Sequence, residues 1–132
     1  MGLDRAQDRI VLVVDDDPDI LQTLALCLST EGYKVLMAGN GQEALDLLSG
    51  ERPACVLLDL MMPIMDGWQF VSELETRGWR RMPILVLSAD RAVQQHSTKL
   101  RAEAYLAKPF DLDELLGKVS QLTGAPSSGT SA

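Results

Sequence analysis

The chain has 132 residues, about one domain's length, with an apolar fraction of 46% and a charged fraction of 23%, as in a globular fold. Twelve Lys and Arg stand against 19 Asp and Glu, and the resulting charge of −7 repels both a phosphate backbone and an anionic membrane. Direct nucleic-acid and membrane partners are therefore not expected. With no basic run, membrane-length apolar stretch or signal-like start, a cytoplasmic location is expected.

Residues 1–9 read as a flexible N-terminus. Ile10–Val14 is apolar at every position, the mark of a strand buried on both faces. Asp17-Pro18 supplies a cap and a first-turn proline for a helix carrying Leu21, Leu24, Ala25 and Leu28 at helical spacing. A second strand is predicted at 35–38, and Asn40 to Glu43 forms a capping-box-like start to a helix through Leu48. A third strand at 55–58 precedes a helix that begins at Asp66-Gly-Trp-Gln69 and runs through Phe70, Val71 and Leu74. The fourth strand is placed at 84–87, and the fourth helix, with the weakest apolar stripe, at about 92–100. After a fifth strand at 104–107, Asp111 to Glu114 caps a fifth helix with Leu112, Leu115, Leu116, Val119 and Leu122 on one face. Residues 123–132 read as a flexible tail or linker, so the domain is bounded at 10–122.

Five strands alternating with five helices imply right-handed crossovers and an α/β fold with a doubly wound, five-stranded parallel sheet. Ligands of such sheets gather at the carboxyl ends of the strands. There the sequence places Asp15, Asp16 and Asp17, then Asp59, then Ser88, and finally Lys108-Pro109. Each alone has an ordinary reading: Asp17 as a helix cap, Ser88 as a loop serine, Lys108 as a surface lysine. Together they fall on one edge. Clustered carboxylates repel one another, and a hard divalent cation such as Mg²⁺ relieves the repulsion while keeping positions open for phosphate oxygens. A nearby lysine and hydroxyl can hold the remaining oxygens of a phosphoryl group. Cys27 and Cys55 lie in apolar stretches and read as reduced core thiols, and with His96 the only histidine no zinc set can be assembled.

Val11-Leu-Val-Val-Asp-Asp-Asp17, Leu57-Leu-Asp-Leu-Met-Met-Pro63 with Met65-Asp-Gly67, Leu87-Ser-Ala89 and Tyr105-Leu-Ala-Lys-Pro-Phe110 together resemble the receiver domain of two-component response regulators. The likeness runs from about Ile10 to Leu122, and the ordered set with its spacings is specific. It implies a flavodoxin-like sheet of strand order 2-1-3-4-5. It further implies a phosphoacceptor at Asp59, charged by a sensor histidine kinase or a histidine phosphotransfer protein. Asp15, Asp16, Asp59 and the backbone carbonyl of Met61 would hold Mg²⁺. Lys108 would pair first with Asp59 and then with the phosphoryl group, while Ser88 would donate its hydroxyl. Pro109 matches the family's cis-proline. Met61 and Asp90 would tune the decay of the acyl phosphate. Ser88 and Tyr105 would act as the switch, read by an unknown downstream protein on the face of the fourth helix, fifth strand and fifth helix. Such a domain is a signalling phosphoacceptor that promotes its own phosphotransfer and autodephosphorylation rather than a metabolic enzyme.

One departure stands out: many receivers carry Gly-Ala before the fifth strand, where this chain has Arg101-Ala102. An arginine in a left-handed conformation is costlier than glycine, so a different end to the fourth helix is expected. Three other readings fit less of the chain. A haloacid-dehalogenase-type phosphatase would use the acids of the first strand, but Asp19 breaks its motif. A dinucleotide-binding module would use Gly39-Asn-Gly41, yet leaves the acids, Ser88 and Lys108 without a task. A degenerate receiver serving only as a docking module is the alternative within the family, although every core phosphorylation residue is present.

Overall fold

The computed structural model describes residues 9–89 and 101–124. In chain order they form β1 (Ile10–Val14), α1 (Pro18–Thr30), β2 (Lys34–Ala38), α2 (Gly41–Leu48), β3 (Cys55–Asp59), α3 (Gly67–Arg77), β4 (Ile84–Ser88), β5 (Ala104–Ala107) and α4 (Leu112–Thr123). Every strand pair is parallel, and the order across the sheet is β2-β1-β3-β4-β5, as expected. Four helices stand among the described residues against the five expected. The remaining one, placed at about 92–100, lies outside them, as does Asp90.

Alternation along the strands explains why their sequences are apolar throughout. Leu12, Val14, Val56, Leu58, Ile84 and Val86 face one layer with Ala44 and Leu45 of α2 and Phe70, Val71 and Leu74 of α3. Val11, Val13, Cys55, Leu57, Leu85 and Leu87 face the other, with Leu24 and Leu28 of α1 and Leu115 and Val119 of α4. A strand covered on both faces has no position left for a solvated side chain. Cys55 is a core thiol, whereas Cys27 on α1 is only half-buried. Neither is in a disulfide.

The caps follow the predicted chemistry. Asp17 accepts from the Asp19 amide at 2.9 Å, Asn40 from Glu43 at 2.9 Å, and Asp66 and Gln69 form a reciprocal capping box. Residues at the two ends of the described fold are tied together. Lys34 donates its amide to the Arg9 carbonyl, and the Arg9 guanidinium donates to the Thr123 carbonyl at 2.7 Å.

Arg101 takes the left-handed conformation itself, with φ of 58°. Its carbonyl accepts from the Arg80 guanidinium, which also meets Glu75 at 3.0 Å and Glu103 at 3.9 Å. Glu103 in turn accepts from the Ile84 amide at 2.8 Å. Arginine is therefore accommodated in the glycine-like geometry, its carbonyl held from the neighbouring loop.

Gly117 sits within α4 with open space where a Cβ would be. Gly117→Ala removes backbone freedom from the unfolded chain without a clash, and is expected to raise the unfolding free energy by about 0.5–1 kcal/mol. A urea titration reads the shift, and an unchanged or lowered midpoint would contradict it.

Candidate functional site

Val14 of β1 pairs with Leu58 of β3, so the next residue along each strand, Asp15 and Asp59, comes out at the same carboxyl rim. Ser88, at the end of β4, is registered with Ala107, and the Lys108 amide donates to the Ser88 carbonyl at 2.8 Å. The sheet thus delivers the predicted residues of all four strands to one edge. Asp15 is fully buried, Asp59 is 5% exposed and Ser88 1%, while Asp16 is solvent-exposed. One carboxylate oxygen from each of Asp15, Asp16 and Asp59 lies within 4.8 Å of the others, a spacing compatible with a shared cation. Oxygen donors of this kind suit a hard divalent ion.

The lysine meets Asp59, its expected first partner, and lies closer still to Asp15. Its Nζ lies 2.8 Å from Asp15 Oδ2 and 3.7 Å from Asp59 Oδ2. The reason is burial. The other oxygen of Asp15 already accepts the Asp17 amide at 3.0 Å, and a carboxylate wholly removed from water takes the nearest cation. Asp59 Oδ1 meanwhile accepts the Met61 amide at 3.2 Å. The peptide between Lys108 and Pro109 is cis, as expected.

Burial raises the Asp59 carboxyl from 3.8 to about 6. Repulsion from Asp15 adds to the rise, Lys108 and the Met61 amide oppose it, and Asp16 contributes a smaller increase. The site stores unfavourable negative charge, which a cation or a transferred group with its own counter-ion can relieve.

Asp17 is a helix cap, as its place before Pro18 implies. Met61 is 72% exposed and borders a depression of about 340 Å³ with Asp16, Met62, Pro63 and Asp66. Tyr105 is half-buried and packs against the α2–α3 layer.

Two glycines shape the site without any signal of that role in the sequence. The Gly67 amide donates to the Leu60 carbonyl at 3.0 Å, and the Gly41 amide to the Met65 carbonyl at 3.0 Å. A Cβ on Gly67 would stand 2.8 Å from Leu60 Cα and 2.9 Å from the Asp59 carbonyl oxygen. The Asp-Gly pair at 66–67 reads as a helix start and as part of the receiver motif, but neither reading shows the neighbouring backbone. Gly67→Ala is expected to destabilise the fold by about 1–3 kcal/mol and to displace the strand end that carries Asp59. Thermal unfolding tests it, and an unshifted transition would show that the loop relaxes freely.

The fold and this rim define a class: a parallel α/β domain whose central strands present clustered carboxylates with a lysine and a hydroxyl. The model of the response regulator receiver domain matches residues 11–120. The chain is 45% identical over 114 residues to the response regulator MprA of Mycolicibacterium vanbaalenii, a match that covers 85% of this chain and 49% of the relative. It thus spans about half the length of the curated relatives it matches. Among solved structures, the receiver domain of Francisella response regulator 1452 superposes with a TM-score of 0.81 at 31% identity, over 88% of this chain and 97% of that one. The Thermotoga maritima response regulator TrrA, solved in complex with Mg²⁺-BeF, gives 0.76 at 35% identity, over 86% and 98%. The chain belongs to the response regulator receiver domain family of two-component signalling. Among the described residues no helix is long and apolar enough to cross a membrane.

Proposed function

We propose that Asp59 accepts a phosphoryl group from a phosphohistidine on a sensor kinase or a histidine phosphotransfer protein in the cytoplasm. The observation that carries this reading is the gathering of Asp15, Asp16 and Asp59 within 4.8 Å, with Lys108 reaching two of them. An Asp59 oxygen attacks phosphorus as the phosphorus–nitrogen bond of the donor breaks, and the imidazole leaves. Such transfer needs in-line placement and charge neutralisation more than covalent activation, and Lys108 beside the carboxylates supports the second. The donor set fits Mg²⁺, held by Asp15, Asp16, Asp59 and the Met61 carbonyl. When bound, the ion supplies positive charge to the phosphoryl oxygens.

Lys108 shifts its ammonium from Asp15 and Asp59 toward the phosphoryl oxygens, and Ser88 donates its hydroxyl to them. Met61 tunes decay at the mouth of the site, together with Asp90. Tyr105 turns inward as Ser88 moves, altering the face of β5 and α4, which a downstream protein reads.

Intact-mass measurement after incubation with acetyl phosphate tests this reading, with and without Mg²⁺ and alongside Asp59→Asn. A Mg²⁺-dependent gain of one phosphoryl group, lost in the variant, is expected. Equal labelling of the variant would mean the acceptor is elsewhere. No labelling by acetyl phosphate or by a cognate kinase would leave the docking-module alternative.

A further inference from the structure

Met61 carries a thioether at the rim whose redox chemistry plays no part in phosphoryl transfer itself. Met61 has 72% of its surface exposed, whereas the adjacent Met62 has 9% and Met65 is half-buried. Its amide is bonded to Asp59 Oδ1, so the thioether is joined to the acceptor through two residues of one tight turn. It also borders the same depression as Asp16. Exposure governs how readily a thioether is oxidised, and the sulfoxide exchanges an apolar, weakly accepting sulfur for a strongly dipolar oxygen.

We propose that Met61 is an oxidation site through which a peroxide shortens the life of the Asp59 phosphoryl group, an inference that rests on the phosphoacceptor reading above. A sulfur lone pair attacks one peroxide oxygen and an S–O bond forms as the O–O bond breaks. After proton transfer, the second oxygen leaves as water. Sulfur is oxidised by two electrons and the peroxide is reduced by two. Beside the acceptor, a thioether offers water little to bond to. The sulfoxide oxygen accepts from water strongly and holds it at the mouth where hydrolysis must begin. Enzymatic reduction of the sulfoxide restores the original rim, so the change is reversible.

The full chain is treated with hydrogen peroxide or left untreated, labelled with acetyl phosphate and Mg²⁺, freed of donor, and followed by intact mass. Peptide mass mapping locates the oxidised methionines. Met61 is expected to oxidise ahead of Met62 and Met65. The phosphoryl group is then lost about threefold faster or more, equivalent to roughly 0.7 kcal/mol of barrier. Methionine sulfoxide reductase returns the slower rate. Met61→Leu, whatever its own rate, shows the same rate before and after peroxide.

An unchanged rate in protein fully oxidised at Met61 would overturn the proposal, as would equal acceleration in Met61→Leu. Failure of untreated protein to gain any phosphoryl mass, from acetyl phosphate or from a cognate kinase, would instead remove the phosphoacceptor reading, and this proposal with it. The two failures are distinguished by whether labelling occurs before peroxide is added.

Discussion

Lys108→Ala is expected to lower the unfolding free energy by about 2–4 kcal/mol in metal-free buffer, because it strands a buried carboxylate. Asp15 has no exposed surface, and the Lys108 ammonium is 2.8 Å from it. The lysine side chain itself is 18% exposed, so some water can approach and the loss falls short of the largest buried-pair values. A lysine serving only the incoming phosphoryl group would leave stability untouched. Urea unfolding of the two proteins separates these cases, and a change below about 0.5 kcal/mol would show that Asp15 does not depend on the lysine. Added Mg²⁺ should recover part of the loss, since a cation among the carboxylates takes over the neutralising role.

Asp59→Asn moves stability the other way. The folded state holds this carboxyl at about 6 against 3.8 for an unperturbed one, so the native protein binds the proton more tightly than the unfolded chain. The ionised form is therefore penalised in the fold. The penalty is absent well below pH 4, grows as pH rises between about 4 and 6, and is constant above that. A rise of this size corresponds to roughly 3 kcal/mol at neutral pH, and the amide, which never ionises, escapes it. The variant should be more stable than the parent by about 2–3 kcal/mol at about pH 7.5, and nearly equal to it at about pH 3.5. A gap that does not change with pH would contradict an electrostatic origin. Mg²⁺ should narrow the gap, because the parent offers it one more carboxylate than the variant does. The same substitution is expected to abolish labelling, so stability and phosphoryl acceptance are predicted to move in opposite directions.

Most of the fold is legible in the sequence because both of its signals are local. The continuous apolar runs at 10–14, 55–58 and 84–87 mark doubly covered strands, and Asp17, Asn40, Asp66 and Asp111 mark helix starts. The rim residues are legible for a related reason, since a parallel sheet sends every strand end to one edge. What escapes depends on distances between segments remote in sequence. Nothing in the string reveals that Lys108 lies closer to Asp15 than to Asp59, because that choice depends on how deeply each carboxylate is buried. Nor does it reveal that Gly67 meets the backbone of Leu60. Arg101 stands out as a departure, but its resolution depends on Arg80, 21 positions earlier.

The turn that follows the acceptor is tied at both ends through main-chain groups: Gly67 to Leu60, and Gly41 to Met65. Between these ties, Met61 and Ile64 project 72% and 81% of their surfaces into solvent. Side chains there can be exchanged without loosening the ties that carry the acceptor. The two outward-facing letters can thus be rewritten while the backbone around Asp59 keeps its place.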